Sequence, residues 1–383
     1  MIHRQRLAET FMRLVSIDSE SGEESEVSDQ LRQMLTPMAI EMHIDKAGEK
    51  IGGNTGNLIV KIQGNANVSP LMFNAHMDTV RPGKGVRPRF ENGVFTSDGT
   101  TVLGADDKSA MAVIIEAMQL LHENNLPHGP IELVFTICEE IGLMGAKNLD
   151  FNLITAKYGY ALDTADTEVI VTRAPSANRM EFLMHGRDAH AGADPEKGIN
   201  AILLASKAIA GLALGRIDHE TTCNIGVIEA KGAANIVPNL VRVQGEVRSH
   251  DDAKLETVTR NMAAAFTDAV ADYKKTHGDG PLPFVDVHIE NDFRKTHIPE
   301  DHPVVVLARQ AAANLGRRLT SKTTGGGADA NVFFQKGIIT GVIGTGMRDI
   351  HTVRESIRLD DMVKTAELLL EIIALHSKGP HSL

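Results

Sequence analysis

Residues 71–80 read LMFNAHMDTV, and the fold of the chain can be worked out from this stretch. Residues 71–75 are a short, uncharged and mostly apolar run, which predicts a buried β-strand. The run leads directly into His76 and Asp78, whose imidazole and carboxylate groups are common metal ligands. A strand that ends in such side chains breaks the local apolar pattern, and breaks of this kind concentrate at functional sites.

Two later strands are predicted to end in the same way. Residues 131–137 run into Glu139 and Glu140, and residues 158–162 run into Asp163. A helix is predicted between the first two strands, at about 108–122. This alternation predicts an α/β fold with a sheet that is at least partly parallel. Because sites in such sheets assemble at the carboxyl ends of the strands, we expect these acidic side chains to lie near His76.

Two glycine-containing loops carry further candidate ligands. Asp106 and Asp107 open the predicted helix, and His351 follows the segment GTGMRDI at 344–350. Each element has an ordinary alternative: an Asp at a helix start is usually a cap, a Glu pair is usually a solvated face, and a lone His-x-Asp is usually structural. It is the combination of these elements along one chain that indicates a metal site.

The middle of the chain has a different pattern, which predicts a separate α+β unit. Its strands are expected near 179–184, 223–229, 241–247 and 285–289, and its helices near 200–214 and 255–270. Candidate ligands lie on both sides of it. We therefore expect a discontinuous catalytic domain at 1–173 and 291–383, with a second domain inserted at 174–290.

Composition narrows the class of protein. The 383 residues carry a formal net charge of -11, which gives no electrostatic reason to bind nucleic acid or an anionic membrane. Only two cysteines are present, Cys138 and Cys223, so a disulfide framework is not expected. No signal peptide and no membrane span are recognisable, and we expect a cytoplasmic protein.

Five segments together resemble the co-catalytic zinc peptidase family that contains peptidase T, aminoacylase and succinyl-diaminopimelate desuccinylase. They are FNAHMDTV (73–80), LGADDKSA (103–110), CEEIGLMGA (138–146), ALD (161–163) and DIHTVRESI (349–357). The similarity runs from end to end and is greatest to peptidase T and its relatives. It implies a catalytic domain with a mixed, largely parallel sheet flanked by helices, plus an inserted α+β lid or dimerisation domain.

The resemblance also implies a set of metal ligands. His76 and Asp163 would bind one zinc ion, Glu140 and His351 would bind the other, and Asp106 would bridge both. Manganese or cobalt would be accepted by the same donors.

Two further carboxylates receive roles from the resemblance. Asp78 would lie behind His76 and hold its ring, and Glu139 would be the general base. In members of this family the peptide bond that follows the bridging Asp is usually cis, so a cis bond is expected between Asp106 and Asp107.

The resemblance assigns substrate contacts to His190, Asn235 and Arg248. The glycine-rich loop that contains Gly326, together with Asp329, could also approach the substrate backbone, because glycine permits close contact. His190 would stabilise the tetrahedral intermediate, and Arg248 would hold the C-terminal carboxylate of the peptide. The ordinary alternatives stay open: a surface His in a turn, an Arg in an ion pair, and an Asp on a surface loop. The inserted domain would also be available for forming a homodimer.

The predicted function is hydrolysis of the N-terminal residue from short peptides, tripeptides in particular, by a di-zinc site. The alternatives are an N-acyl amino acid amidohydrolase or a dipeptidase of the same family, since shared ligands do not choose a substrate. A metal-binding protein without catalysis is a third hypothesis. Glu139 argues against it, because this residue is not an expected ligand and proton transfer is its main use.

Overall fold

The computed structural model describes residues 1–379, which divide into two compact units. The larger unit comprises Met1–Arg173, Thr296–Thr323 and the chain from Ala328 onward. The inserted unit comprises Ala174–Lys295 and Thr324–Gly327. Its main segment extends to Lys295, beyond the boundary expected at residue 290, because its last strand stays paired as far as Phe293, with a register shift between Asn291 and Phe293.

Helices and strands are numbered here in chain order over the described residues. The helices are α1 (Arg4–Val15), α2 (Ser25–Leu35), α3 (Ala47–Ile51), α4 (Ala105–Glu123), α5 (Met144–Asn148), α6 (Ala201–Ala210), α7 (Asp252–His277), α8 (Pro303–Asn314), α9 (Asp329–Gln335) and α10 (Leu359–Ser377). The strands are β1 (Glu41–Ile44), β2 (Leu58–Ile62), β3 (Leu71–His76), β4 (Arg89–Glu91), β5 (Val94–Thr96), β6 (Ile131–Thr136), β7 (Tyr158–Thr164), β8 (Val169–Ala174), β9 (Ser176–His185), β10 (Gly215–Arg216), β11 (Thr221–Ala230), β12 (Leu240–Ser249), β13 (Phe284–Phe293), β14 (Thr296–His297), β15 (Thr320–Thr323), β16 (Ile339–Gly344) and β17 (Ser356–Arg358).

The larger unit is built on one mixed sheet. Its strand order is β1-β2-β6-β3-β7-β16-β8-β14, with β15 beside β8. The central strands β6, β3, β7 and β16 run parallel, whereas β1 and β2 pair antiparallel with their neighbours. The expected mixed, largely parallel sheet is therefore confirmed, and its parallel strands end at one common edge.

Burial on both faces explains why the central strands are mostly apolar. Every residue of β3 and β6 is buried. Helix α4 packs on β3 and β7, and α1 and α10 pack in turn against α4. Helix α4 is buried almost all round because other helices cover the faces that do not pack on the sheet. Parallel sheets need such cover on both faces.

The inserted unit is an α+β structure with its own core. Its antiparallel sheet has the order β10-β11-β12-β9-β13, and α6 and α7 pack against it. The rings of Phe182 and Phe266 stack in this core with centroids 3.9 Å apart. Among residues 1–379, no helix is both long enough and apolar enough to cross a bilayer.

Candidate metal centre

The candidate ligands come from the sheet edge and from two loops beside it. His76 is the last residue of β3, Asp163 lies near the end of β7, and Glu140 follows β6 by a few residues. Because these three strands are parallel neighbours, their side chains meet at one edge. Asp106 lies at the start of α4, and His351 lies in the loop between β16 and β17.

Asp106 lies between the two imidazoles. Its Oδ1 atom is 3.0 Å from Nε2 of His76, and its Oδ2 atom is 3.3 Å from Nε2 of His351. The same His351 nitrogen is 3.0 Å from Oε1 of Glu140. The two oxygens of this carboxylate thus face two separate imidazoles. The expected cis peptide bond between Asp106 and Asp107 is confirmed.

Two groups of side chains have ligand atoms close enough to share an ion. His76, Asp106 and Glu140 form one group, and Asp106, Asp107 and Asp163 form the other; within each, the atoms lie within 4.8 Å of one another. Asp106 belongs to both groups. Nitrogen and carboxylate oxygen donors of this kind suit zinc, and manganese or cobalt as well. The donor set therefore fits a pair of divalent ions.

From the sequence, Asp107 was noted beside Asp106 in the loop of candidate ligands, but it was assigned no specific role. It is fully buried, and its Oδ2 atom accepts a hydrogen bond from the backbone N–H of His76 at 3.2 Å. The signal that could have revealed it was the pair of adjacent Asp residues in a glycine-flanked loop, where a helix cap needs only one.

The electrostatics of the cluster also favour cations. Burial, followed by repulsion from neighbouring carboxylates, raises the pKa of Asp163 well above its ordinary value, and burial likewise raises the pKa of Glu140. Hydrogen bonds to Asp106 and Glu140 raise the pKa of His351 to about 10. For Asp106 burial acts in the opposite direction, but the two imidazoles lower its pKa. Divalent ions would relieve this excess of buried negative charge.

Asp78 is fully buried and supports the segment that follows β6. Its Oδ1 atom accepts the backbone N–H of Glu139 at 2.9 Å, and its Oδ2 atom accepts that of Glu140 at 3.2 Å. The hydroxyl of Ser21 donates to Oδ2 at 2.6 Å. Nδ1 of His76 lies 3.3 Å from the Asp78 carboxylate and 3.0 Å from its backbone oxygen, so both groups orient the ring.

Glu139 belongs to neither of the two groups of ligand atoms. Burial, followed by repulsion from Asp163 and Asp329, raises the pKa of its carboxyl group, although His76 acts in the opposite direction. A carboxylate of raised pKa accepts a proton more readily than an ordinary one, as a general base beside a metal site must.

Asp329 lies in the larger unit and not on a surface loop. It is the first residue of α9, only 2% exposed, and its Oδ2 atom accepts a hydrogen bond from the Thr136 hydroxyl at the end of β6. Burial raises the pKa of its carboxyl group to about 6.

The other predicted substrate contacts lie in the inserted unit. His190 is exposed, and its Nδ1 atom accepts the backbone N–H groups of Gly192 and Ala193. The backbone oxygen of Asn235 accepts the N–H of Ala191 at 2.9 Å, so the segments of His190 and Asn235 are adjacent.

Arg248 lies beside the glycine-rich segment that contains Gly326. Its guanidinium pairs with Glu246 at 3.0 Å, donates to the backbone oxygen of Gly325 at 3.3 Å, and lies over the ring of Phe293. The ion pair that was the ordinary alternative is thus present, together with a contact to the loop. The N–H of Gly326 donates to the hydroxyl of Thr324 at 3.2 Å.

Comparison with known proteins gives a consistent result. Residues 72–375 match the model of peptidase family M20/M25/M40. The chain is 42% identical over 375 residues to the uncharacterized protein YqjE of Bacillus subtilis strain 168, covering 97% of this chain and 99% of that protein.

Two solved structures of similar sequence share the fold over their whole length. Aminopeptidase PepT from Bacillus cereus ATCC 10987 is 40% identical with a TM-score of 0.85, covering 98% of this chain and 99% of that one. A tripeptidase from Staphylococcus aureus subsp. aureus Mu50 is 35% identical with a TM-score of 0.90, covering 99% of this chain and 100% of that one.

Proposed function

The chain belongs to peptidase family M20/M25/M40 and is a hydrolase acting on peptide bonds, and from this premise we propose that it removes the N-terminal residue from short peptides, tripeptides above all. The observation that carries the proposal is the place of Asp106 between the imidazoles of His76 and His351. The likeness to an aminopeptidase and a tripeptidase supports the choice of substrate.

Five side chains would hold two zinc ions. His76 and Asp163 would hold one, Glu140 and His351 would hold the other, and Asp106 would hold both. Glu140 lies close to His351 and also to His76 and Asp106, and this supports a compact pair of sites. When bound, the ions would polarise the scissile carbonyl and lower the pKa of the attacking water toward neutrality.

Glu139 acts as the general base in this proposal. It takes a proton from the attacking water and later delivers it to the leaving amine. Its partial burial and its raised pKa support this role, because the carboxyl group can then hold the proton between the two transfers. The bonds from Asp78 to the N–H groups of Glu139 and Glu140 keep the base and a ligand at a constant spacing.

Residues of the inserted unit would select the substrate. Arg248 would bind the C-terminal carboxylate of the peptide through its planar fork, which matches a carboxylate better than a lysine does. His190 would stabilise the tetrahedral intermediate, and Asn235 and Gly326 would contact the peptide backbone. Asp329 would contact the substrate from the larger unit, where it is buried beside Thr136. Formation of a homodimer through the inserted unit stays a prediction, which light scattering in solution tests directly.

The test of this function is mass-resolved hydrolysis of a mixed panel of substrates. The panel contains free dipeptides, tripeptides and tetrapeptides together with N-acetylated amino acids. The protein is first stripped with a chelator and then assayed with zinc, manganese or cobalt added back. We expect tripeptides to lose their N-terminal residue only after metal is restored, with acetylated compounds left intact. Cleavage of acylated compounds alone would replace the peptidase by an amidohydrolase, and full activity in the stripped protein would refute the metal site.

A further inference from the structure

Glu355 is a buried carboxylate that joins two loops of the candidate metal centre. It is 1% exposed and lies four residues after His351, at the end of the same loop. Its Oε2 atom accepts the backbone N–H of Gly104 at 2.7 Å, and its Oε1 atom accepts that of Asp106 at 3.0 Å. One side chain thus holds the segment that carries Asp106 while belonging to the segment that carries His351.

The N–H groups that Glu355 binds have no partner within their own helix. The first turn of a helix leaves its N–H groups unsatisfied, and a capping side chain usually accepts from one of them. At the start of α4 the preceding residue is Gly104, which has no side chain, and Asp106 has the non-helical angles φ -82° and ψ 100°. Glu355 therefore caps this turn from 249 residues away, through charge-assisted bonds.

The loop of His351 needs such an anchor. His351 has a positive φ of 61°, and its side chain is 49% exposed, so packing restrains it little. The loop is closed at its base by a pair of backbone hydrogen bonds between Arg348 and Ser356, at 2.9 and 3.0 Å. Glu355 is the neighbour of Ser356, and its N–H donates to the backbone oxygen of Thr352 at 3.1 Å. Its carboxylate is thus held at the base of the loop.

We propose that Glu355 is a positioning residue that sets the spacing of Asp106 and His351 and thereby the metal affinity of the centre. This inference rests on the proposed function, in which both residues are ligands. Glu355 belongs to neither group of ligand atoms, and its two oxygens are engaged by backbone N–H groups. Its effect on the reaction is exerted through the two ligands that it connects.

A matched control exists in the same unit. Glu132 is 3% exposed, and its carboxylate also accepts the N–H groups of two backbone positions, Thr155 and Ala156, each at 2.9 Å. Neither of those residues is a candidate ligand. Glu132→Gln therefore removes the same kind of buried contact without touching the metal centre.

The experiment compares wild type, Glu355→Gln, Glu355→Asp and Glu132→Gln. Zinc affinity is measured by competition with a chromophoric chelator, and the urea midpoint of each apoprotein is measured separately. In Glu355→Gln the amide NH₂ group places a second donor against one of the two backbone N–H groups. In Glu355→Asp the shorter side chain does not reach the N–H groups of Gly104 and Asp106. We expect both variants to bind zinc ~10–100-fold more weakly than Glu132→Gln does. The Glu355 variants should also lose kcat on a tripeptide, with KM close to that of wild type.

Two results would overturn the inference. One is a zinc affinity in both Glu355 variants equal to that of Glu132→Gln, whatever the urea midpoints, because the contact would then serve stability alone. The other is failure of both Glu355 variants to fold, which would assign the carboxylate to the fold itself. A failure of the proposed function is recognised separately, since His351→Ala would then bind zinc as tightly as wild type.

Discussion

The Oδ1 atom of Asp78 accepts a hydrogen bond from the backbone N–H of Glu139 at 2.9 Å. Asp78 follows β3, whereas Glu139 follows β6, and the two strands are parallel neighbours in the sheet. The bond therefore ties the segment of the proposed base to the strand end that carries His76. The roles of the two carboxylates can be distinguished by experiment. Glu139 would act by transferring a proton, whereas Asp78 would act by holding His76 and the segment of Glu139.

Replacing Glu139 by Gln should abolish catalysis and leave metal binding intact. The amide keeps the size of the side chain but accepts no proton from water, so we expect kcat on a tripeptide to fall by ~10²–10⁴-fold. Steady-state kinetics and metal analysis of the dialysed variant check this together. An unchanged kcat would refute the assigned role, and loss of bound zinc would make Glu139 a ligand instead.

Replacing Asp78 by Asn should weaken metal binding as well as catalysis. The amide nitrogen would oppose one of the two N–H groups that now bind the carboxylate, and the charge behind His76 would be lost. We expect zinc affinity to fall by ~10–100-fold, measured by chelator competition. Ser21→Ala is the control, since it removes one hydrogen bond to Asp78 and keeps its charge. Equal affinities in Asp78→Asn and Ser21→Ala would contradict the prediction.

Replacing Arg248 by Lys should impair recognition of a free peptide carboxylate. Lysine keeps the charge but loses the planar fork and the contact over Phe293. We expect KM for a tripeptide to rise by roughly 10–100-fold, the loss of a hydrogen bond to a charged group. A C-terminally amidated tripeptide serves as the matched substrate, on which wild type and variant should differ little. If both substrates suffer equally, Arg248 supports the loop at Gly325 and does not read the carboxylate.

Replacing His376 by Gln should flatten the rise of stability with pH below pH 6.5. The imidazole is 5% exposed, its Nδ1 atom lacks a hydrogen-bond partner among the described residues, and burial lowers its pKa from 6.5. The unfolded chain therefore binds more protons than the folded chain between the lowered pKa and 6.5, so the free energy of unfolding increases with pH across that window.

Urea unfolding of the metal-free protein at several pH values below 6.5 measures that slope. His219→Gln is the control, because the His219 side chain is 81% exposed and should leave the slope as in wild type. If His376→Gln has the same slope as His219→Gln, the buried imidazole does not contribute to acid sensitivity.

The candidate ligands could be found from the sequence because each follows a recognisable signal. His76, Glu140 and Asp163 lie at or shortly after the ends of mostly apolar strands, and parallel strands bring such ends together whatever the details of packing. Asp329 shows the limit of this reasoning. Its position shortly after three glycines suggested a surface loop as one alternative, but it is buried at the start of α9 against Thr136. No pattern in one segment reveals which distant side chain will cover it.

The α/β class, the candidate ligands and the peptidase family follow from the sequence by itself, because strand patterns and motifs are local and survive in any packing. Only the tertiary structure decided how those parts are tied together. The bonds from Asp78 to Glu139 and from Glu355 to Asp106 join residues 61 and 249 positions apart. A buried carboxylate must find donors wherever the fold supplies them, and this choice depends on distances of tenths of an ångström that only the packed sheet and its loops establish.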